Sequence, residues 1–318
     1  MASKSLEFYQ NITNNENEHS NRKGSAFWNE GKWENFIAPF LPEDCSDMAF
    51  IEIGCNNGLF LKLAKEKGFR NVIGIEADKK AVKRGIEYRD SLGMDYKILN
   101  RRVGENFSFE ELPVADFILI SNVHYYFDLE DWFKLLDQMI HKTRYCLIIS
   151  RPVEPNHHWK PRTDITGIKW YFRHWKSQGA IYGLKSHHKA KRDPSPRVLW
   201  SFLFESELKR VQIDDLIKGA DGDNIKLERD SFIEELKKGI KLEDTKYYQI
   251  WRKRMSRRWD EKRTKEFVQK KIDLINDMRE NGMKEPILVQ LNNKLIDGGH
   301  RTAILRDLGY KSIITRPI

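Results

Sequence analysis

The stretch FIEIGCNNGLFLKLAKEKG, residues 50–68, decides the fold. Phe50, Ile51 and Ile53 are apolar and β-prone, which suits a strand covered on both faces. Gly54 and Gly58 bracket Cys55-Asn56-Asn57. From Leu59 onward the apolar residues Leu59, Phe60, Leu63 and Ala64 recur at helical spacing. The stretch therefore reads as buried strand, turn and helix. Glycine has no Cβ, so a ligand can approach the backbone of such a turn closely. In open α/β sheets the crevice at the carboxyl ends of the strands is where ligands bind.

The next segment, NVIGIEADKKAV, predicts a second strand ending in Glu76. An acidic residue there can accept two hydrogen bonds from a ribose diol. Asp78 is placed to cap a helix over residues 78–93. ADFILISNVHYYFD (115–128) predicts a buried strand running into a loop. LEDWFKLLDQMIHKT then predicts an amphipathic helix and RYCLIIS a fifth strand. Residues 163–179, 180–186 and 196–204 read as helix, strand and strand. The turn is E-x-G-C-x-x-G, not the dinucleotide G-x-G-x-x-G. Together these residues, over roughly 27–204, resemble the class I S-adenosylmethionine (SAM)-dependent methyltransferases. A doubly wound domain for another nucleotide is the competing reading.

The resemblance implies a Rossmann-like sheet whose last strand inserts antiparallel. It implies Glu52 and Gly54 beside the methionine part of SAM, Asn56 and Gly58 at the turn, Glu76 on the ribose and Asn122 near the methyl group. His124, at the end of the fourth strand, becomes the candidate catalytic residue, as general base or substrate-orienting donor. A histidine that merely packs is the alternative. Many of the family hold the adenine with an acidic residue after the third strand. This chain has Asn100, Arg101 and Arg102 there.

A chain of 318 residues and 37.7 kDa has room for two domains. The net charge of +9 and pI near 9.2 point to acidic partners: nucleic acid, a phosphorylated glycan or an anionic surface. Three cysteines without metal-ligand spacing fit a reducing, cytoplasmic location. His157-His158 and His187-His188 are adjacent pairs, which cannot easily share one ion. They are read as parts of basic, anion-attracting loops (151–162 and 187–197), and no metal is expected. Residues 1–26 are polar and expected to be flexible. AFWNEGKWENFIAPFL (26–41) predicts a short helix laying its aromatics on the sheet. No signal peptide is apparent, and no run approaches the ~20 apolar residues of a membrane span.

Residues 205–318 form the second unit. The segments 204–220 and 229–255 are helical in pattern. Residues 260–282 predict a long amphipathic helix with Phe267, Ile272, Ile275 and Met278 on its apolar face, ended by Gly282. The last 35 or so residues read as strand, Asn292-Asn293 turn, strand, Asp297-Gly298-Gly299-His300-Arg301, helix and strand. Glycines at the start of a helix leave its amides open, and a helix N-terminus favours anions. His300 and Arg301 add donors. With the runs PILV (286–289), LIDG (295–298) and LGY (308–310), residues 243–318 resemble the ParB/sulfiredoxin-like fold. That resemblance implies phosphate binding at Asp297, Gly298, Gly299, His300 and Arg301, with ATP, ADP or CTP as ligand. Sulfiredoxin's catalytic cysteine is replaced by Gly299. A purely structural loop is the alternative.

The expected architecture is α/β, a Rossmann-like class I methyltransferase sheet (27–204) followed by a helical connector plus a second, smaller α+β ParB/sulfiredoxin-like domain (205–318). The expected activity is SAM-dependent methyl transfer to a phosphorylated or acidic small molecule or glycan terminus. It rests on the basic loops and a general likeness to surface-polysaccharide methyltransferases, some of which carry a kinase domain. In that reading Asp297 is a candidate metal ligand or base. Two alternatives stand open. One is a nucleic-acid methyltransferase that uses the basic aromatic run YYQIWRKRMSRRW (247–259) to hold DNA or RNA. The other is a SAM-binding protein without enzymatic activity.

Overall fold

A computed structural model of the chain describes residues 32–102, 111–121, 123, 127, 129–150, 181–187, 197–216, 222–290 and 292–318; for 181–187, 197–204 and 222–228 it describes the backbone. The chain divides into two compact units. The first runs to Glu207; the second comprises Leu208–Ile318 together with Leu112–Val114.

The first unit is a seven-stranded sheet in the order β3-β2-β1-β4-β5-β7-β6. Its strands are β1 (Ala49–Ile53), β2 (Asn71–Glu76), β3 (Lys97–Asn100), β4 (Ala115–Ser121), β5 (Thr143–Ser150), β6 (Ile181–His187) and β7 (Arg197–Glu205). The first five pair in parallel, and β7 runs antiparallel between β5 and β6. The expected antiparallel ending is therefore present. In register, Ile51 lies opposite Ile73 on one side and Ile118 on the other. β4 is buried along its whole length, as befits a central strand whose residues are nearly all apolar.

Helices α1 (Leu59–Glu66), α2 (Lys79–Ser91) and α3 (Leu129–Lys142) connect the parallel strands. Asp78 caps α2 by accepting from the Lys80 amide at 2.9 Å. The aromatic segment before β1 forms a π-helical turn, Trp33–Ile37, and a 3-10 turn, Ala38–Phe40. Trp33 stacks on Phe60 with ring centroids 6.2 Å apart, and Phe36 and Ile37 are buried in the same cluster. These aromatics are core. Phe27, Trp28, the 163–179 helix, His157, His158 and His188 lie outside the described residues.

One buried polar contact pins the amino ends of three strands. The Asp116 carboxylate is fully buried on β4. It accepts from the Ala49 amide of β1 at 2.9 Å and from Arg144 Nη1 of β5 at 3.1 Å. Removing one member of a buried ion pair strands the other. Asp116→Ala is therefore expected to cost about 3–5 kcal/mol, read as a lowered urea midpoint at an unchanged slope.

The second unit holds helices α4 (Gly222–Lys237), α5 (Lys246–Met255), α6 (Glu261–Asn281) and α7 (Gly299–Asp307). Its sheet is β10-β9-β11-β8, from β8 (Lys209–Gln212), β9 (Ile287–Val289), β10 (Leu295–Asp297) and β11 (Ser312–Pro317). Phe232, Tyr247, Val268, Ile275 and Ile304 meet in its core. On α6, Val268, Ile275 and Met278 are buried while Phe267 and Ile272 pack at the margin. Gly282 ends the helix with φ +80°. The hairpin between β9 and β10 turns through Asn293 at φ +62°.

One expectation fails here. The pattern of residues 204–220 predicts a helix, but the described residues of that segment hold the end of β7, strand β8 and a 3-10 turn, Ile213–Asp215. β8 pairs antiparallel with β11, Val211 opposite Ile313. The long-range partner supplies hydrogen bonds and an apolar face that outweigh a weak local preference.

Candidate functional site

The β1–α1 turn has three left-handed residues: Gly54 (φ +73°), Asn56 (φ +50°) and Gly58 (φ +82°). The amides of Gly54 and Cys55 both donate to the Ile75 carbonyl, at 2.7 and 3.1 Å, tying the turn to the end of β2. Asparagine is among the few residues that tolerate the left-handed region. Asn56 Oδ1 also accepts from the Asn57 amide at 2.9 Å. A Cβ on Gly54 would run into the side chain of Val123, just past β4. The glycine thus serves close packing between adjacent strand ends as well as backbone conformation.

Glu76 sits at the carboxyl end of β2. Its Oε2 accepts from the Asn56 amide at 2.8 Å and its Oε1 from the Asp78 amide at 2.9 Å. The carboxylate is thereby locked against the turn. A carboxylate has about four lone-pair sites, so each oxygen keeps one for a ligand. β1 neighbours β2 on one side and β4 on the other. The chain reverses its order of adding strands there, so the site lies at a topological switch point.

Beneath the turn lies Glu52, 1 % exposed. Its Oε2 has no hydrogen-bond partner among the described residues. Burial pushes its carboxyl well above the usual range; nearby Lys32 opposes the shift and Glu76 adds to it. Lys32 is itself buried, 5.5 Å above the Phe60 ring. A raised folded pKa gives stability that is complete below the unfolded value and is lost as pH rises toward the folded one. Glu52→Gln is therefore expected to lose this pH dependence. Its stability relative to the parent should grow from pH 4 to pH 8 in urea titrations, and equal curves at both pH values would contradict it. Cys55 is fully buried under Gly74, and burial drives its thiol well above its ordinary value, so it is no nucleophile.

The Asn100 side-chain amide donates to the carbonyls of Glu76 and Ala77 at 2.9 and 3.1 Å. Its NH2 is thereby committed to the backbone at the end of β2. Arg101 and Arg102 are exposed. Glu52, Gly54, Asn56, Gly58 and Glu76 are thus together at one strand edge. Asn122 and His124 lie outside the described residues.

In the second unit, Gly298 (φ +100°) precedes α7, and Gly299 is the first residue of the helix, so a single glycine rather than two stands ahead of it. Arg301 is engaged: Nη2 donates to Asp297 at 2.8 Å, and Nη1 donates to the Glu285 and Pro286 carbonyls at 2.9 and 3.3 Å. His300 Nε2 lies 2.6 Å from the Tyr247 hydroxyl. Asp297 is exposed, and no group of three or more His, Cys, Asp or Glu able to hold a metal occurs among the described residues. No local sequence pattern marks Lys32, which comes near Glu52 only through folding.

Residues 26–178 match a family described as "Methyltransferase domain". No curated protein matches the chain. Among solved structures it is similar to the bifunctional kinase-methyltransferase WbdD, at 18% identity and TM-score 0.39, over 53% of this chain and 36% of that one. TehB from Haemophilus influenzae aligns at 14% identity and TM-score 0.41, over 51% of this chain and 58% of that one. The magnesium protoporphyrin IX methyltransferase ChlM from Synechocystis PCC 6803, with bound SAM, aligns at 11% and TM-score 0.41, over 55% and 77%. The chain thus spans less than two thirds of the first two proteins. Among the described residues, no helix is long and apolar enough to cross a membrane.

Proposed function

We propose, from the match of residues 26–178 to a methyltransferase-domain family, that the first unit binds SAM over the β1–α1 turn and methylates an anionic, phosphorylated or acidic acceptor. The observation that carries the cofactor site is the Glu76 carboxylate bonded to the Asn56 amide, with two acceptor positions left for a ribose diol. Gly54, Asn56 and Gly58 shape the backbone that would lie against the cofactor. Glu52 supplies a buried polar oxygen below it. Asn100 stands where an acidic residue is usual.

SAM, when bound, supplies a methyl group on a positively charged sulfur. The protein's part is chiefly alignment. For a hydroxyl acceptor His124 takes the proton; a phosphate or carboxylate oxygen needs no base. By the same resemblance Asn122 is assigned to the methyl-transfer end of the cofactor site. An anionic acceptor is supported by the net charge of +9.

The second unit is assigned a phosphate-binding role at Asp297, Gly298, Gly299, His300 and Arg301, with ATP, ADP or CTP as the nucleotide ligand. The likeness of residues 243–318 to ParB/sulfiredoxin-like proteins supports it. A nucleic-acid acceptor is the second reading. It is favoured by exposed Lys253, Arg254, Arg257 and Arg258 beside the stacked Trp251–Trp259 pair.

The test is calorimetry with SAM, followed by assay of S-adenosylhomocysteine with phosphosugars, phosphorylated glycan ends and tRNA as acceptors. SAM binding with turnover on the phosphorylated acceptors is expected. Turnover on tRNA alone would replace this reading by the second. SAM binding without turnover on any acceptor would make the chain a binding protein.

A further inference from the structure

The basic surplus of the chain sits almost entirely in one place. Residues 246–271, which are α5, its connection to α6 and the first half of α6, hold eleven Lys and Arg against three Asp and Glu. Eleven less three leaves +8 there, in a chain whose net charge is +9. Charge of one sign gathered on so short a stretch raises the local concentration of the opposite sign.

These cations stand on a fixed corner. Trp251 stacks on Trp259 with ring centroids 6.2 Å apart, and Phe267 packs against the two at 4.7 and 5.1 Å. Arg252 Nη1 donates to the Trp259 carbonyl at 3.3 Å, and Asp260 caps α6 by accepting from the Arg263 amide at 2.7 Å. The Arg263 guanidinium lies over the Trp259 ring, 5.5 Å from its centroid. Two of the three acids are engaged within the fold: Asp260 in the cap, and Glu261 with Lys265, which also meets Glu243. Lys253, Arg257, Arg258, Lys262, Arg263 and Lys270 are exposed, and none of their charged groups pairs with a carboxylate among the described residues.

Helix stability does not account for this arrangement. Arg252, Lys253 and Arg254 lie in the last turn of α5 and complement its negative end. Lys262 and Arg263 lie in the first turn of α6, at its positive end, where a cation is unfavourable. Arg257 and Arg258 belong to neither helix. Unfavourable like charges held on one exposed corner are relieved when a polyanion covers them. Arginine, suited to bidentate contact with phosphate, supplies three of the six exposed cations. Half-buried Trp251 and Trp259 stand among them, and aromatic rings within a basic surface suit bases as the cations suit phosphates.

We propose that the corner between α5 and α6 binds the phosphodiester backbone of a nucleic acid, with Arg257, Arg258 and Lys262 on its phosphates and Trp259 beside its bases. This goes beyond the acceptor readings above: the nucleic acid is a docking partner of the second unit, whichever acceptor the first unit methylates.

The experiment is fluorescence anisotropy of the full chain with a labelled oligo-uridylate and a labelled DNA duplex, each about 20 nucleotides per strand, from about 0.05 to 0.3 M salt. The parent should bind at least one of them, and log Kd should rise with log salt by about 0.7 per phosphate contact on the single strand and about 0.9 on the duplex. The triple variant Arg257→Gln, Arg258→Gln, Lys262→Gln should lower the single-strand slope by about 2 and the affinity about 100-fold near 0.1 M salt. Its melting temperature should be unchanged or raised, because a cation leaves the positive end of α6. A control with the same change in net charge, made at exposed Lys67, Lys83 and Lys97 of the first unit as Lys67→Gln, Lys83→Gln, Lys97→Gln, should bind like the parent. Equal losses in both variants would make the binding a matter of overall charge and overturn the assignment. So would a parent that binds neither oligonucleotide, or one that binds the acidic polysaccharide heparin alone. SAM is titrated separately and should bind both variants as it binds the parent. A parent that binds nucleic acid but not SAM would sink the proposed function and leave this surface standing.

Discussion

Glu76→Ala is expected to weaken SAM binding by about 100-fold. The carboxylate does two things: it holds the turn through the Asn56 and Asp78 amides, and it presents its remaining lone pairs at the end of β2. A hydrogen bond to a charged group contributes about 1.5–3 kcal/mol, and two such bonds to a ribose diol would be lost with the side chain. The turn amide of Asn56 would also lose its partner. Glu76→Gln should fall between, since its amide nitrogen cannot accept from a backbone N–H. The measurement is a calorimetric Kd for SAM, with circular dichroism to show that the fold persists. A Glu76→Ala protein with parental affinity would take the ribose contact away from this residue.

Gly54→Ala is expected to have the other large effect. At φ +73° an alanine is in the left-handed region, which costs about 1–2 kcal/mol. Its methyl would also overlap Val123, and forcing a group into a filled space typically costs a further ~1–3 kcal/mol. A loss of about 2–5 kcal/mol in urea unfolding follows, with SAM binding weakened in parallel because the turn must shift. The double variant Gly54→Ala, Val123→Ala separates the two causes. It should recover the packing part and retain the backbone part. Full recovery in the double variant would show that the left-handed conformation contributes nothing.

Much of the first unit was legible because its signals are local. A run of β-prone residues, a glycine turn and a helical period lie within residues 50–68, and β1, the turn and α1 follow them closely. The acid at the end of β2 was legible for the same reason: strand length sets its position. Asp78 capping α2 and Gly282 ending α6 belong with these, since each acts on its own helix. The local pattern of residues 204–220 reads as helix because strand β8 exists only by pairing with β11, about a hundred residues away in sequence. A four-residue strand carries too few residues to announce itself.

The sequence by itself determined that a glycine turn would be followed by an acidic strand end, and that a second glycine-rich motif would open a helix near residue 299. Those features depend on residues within a few positions of one another. Only the tertiary structure decided what each motif meets. It set Glu76 on the Asn56 amide, buried Glu52 near Lys32, engaged Arg301 with Asp297 and laid Arg229 over Gly299. These are contacts between distant parts of the chain, governed by burial and charge, and no spacing along the sequence encodes them.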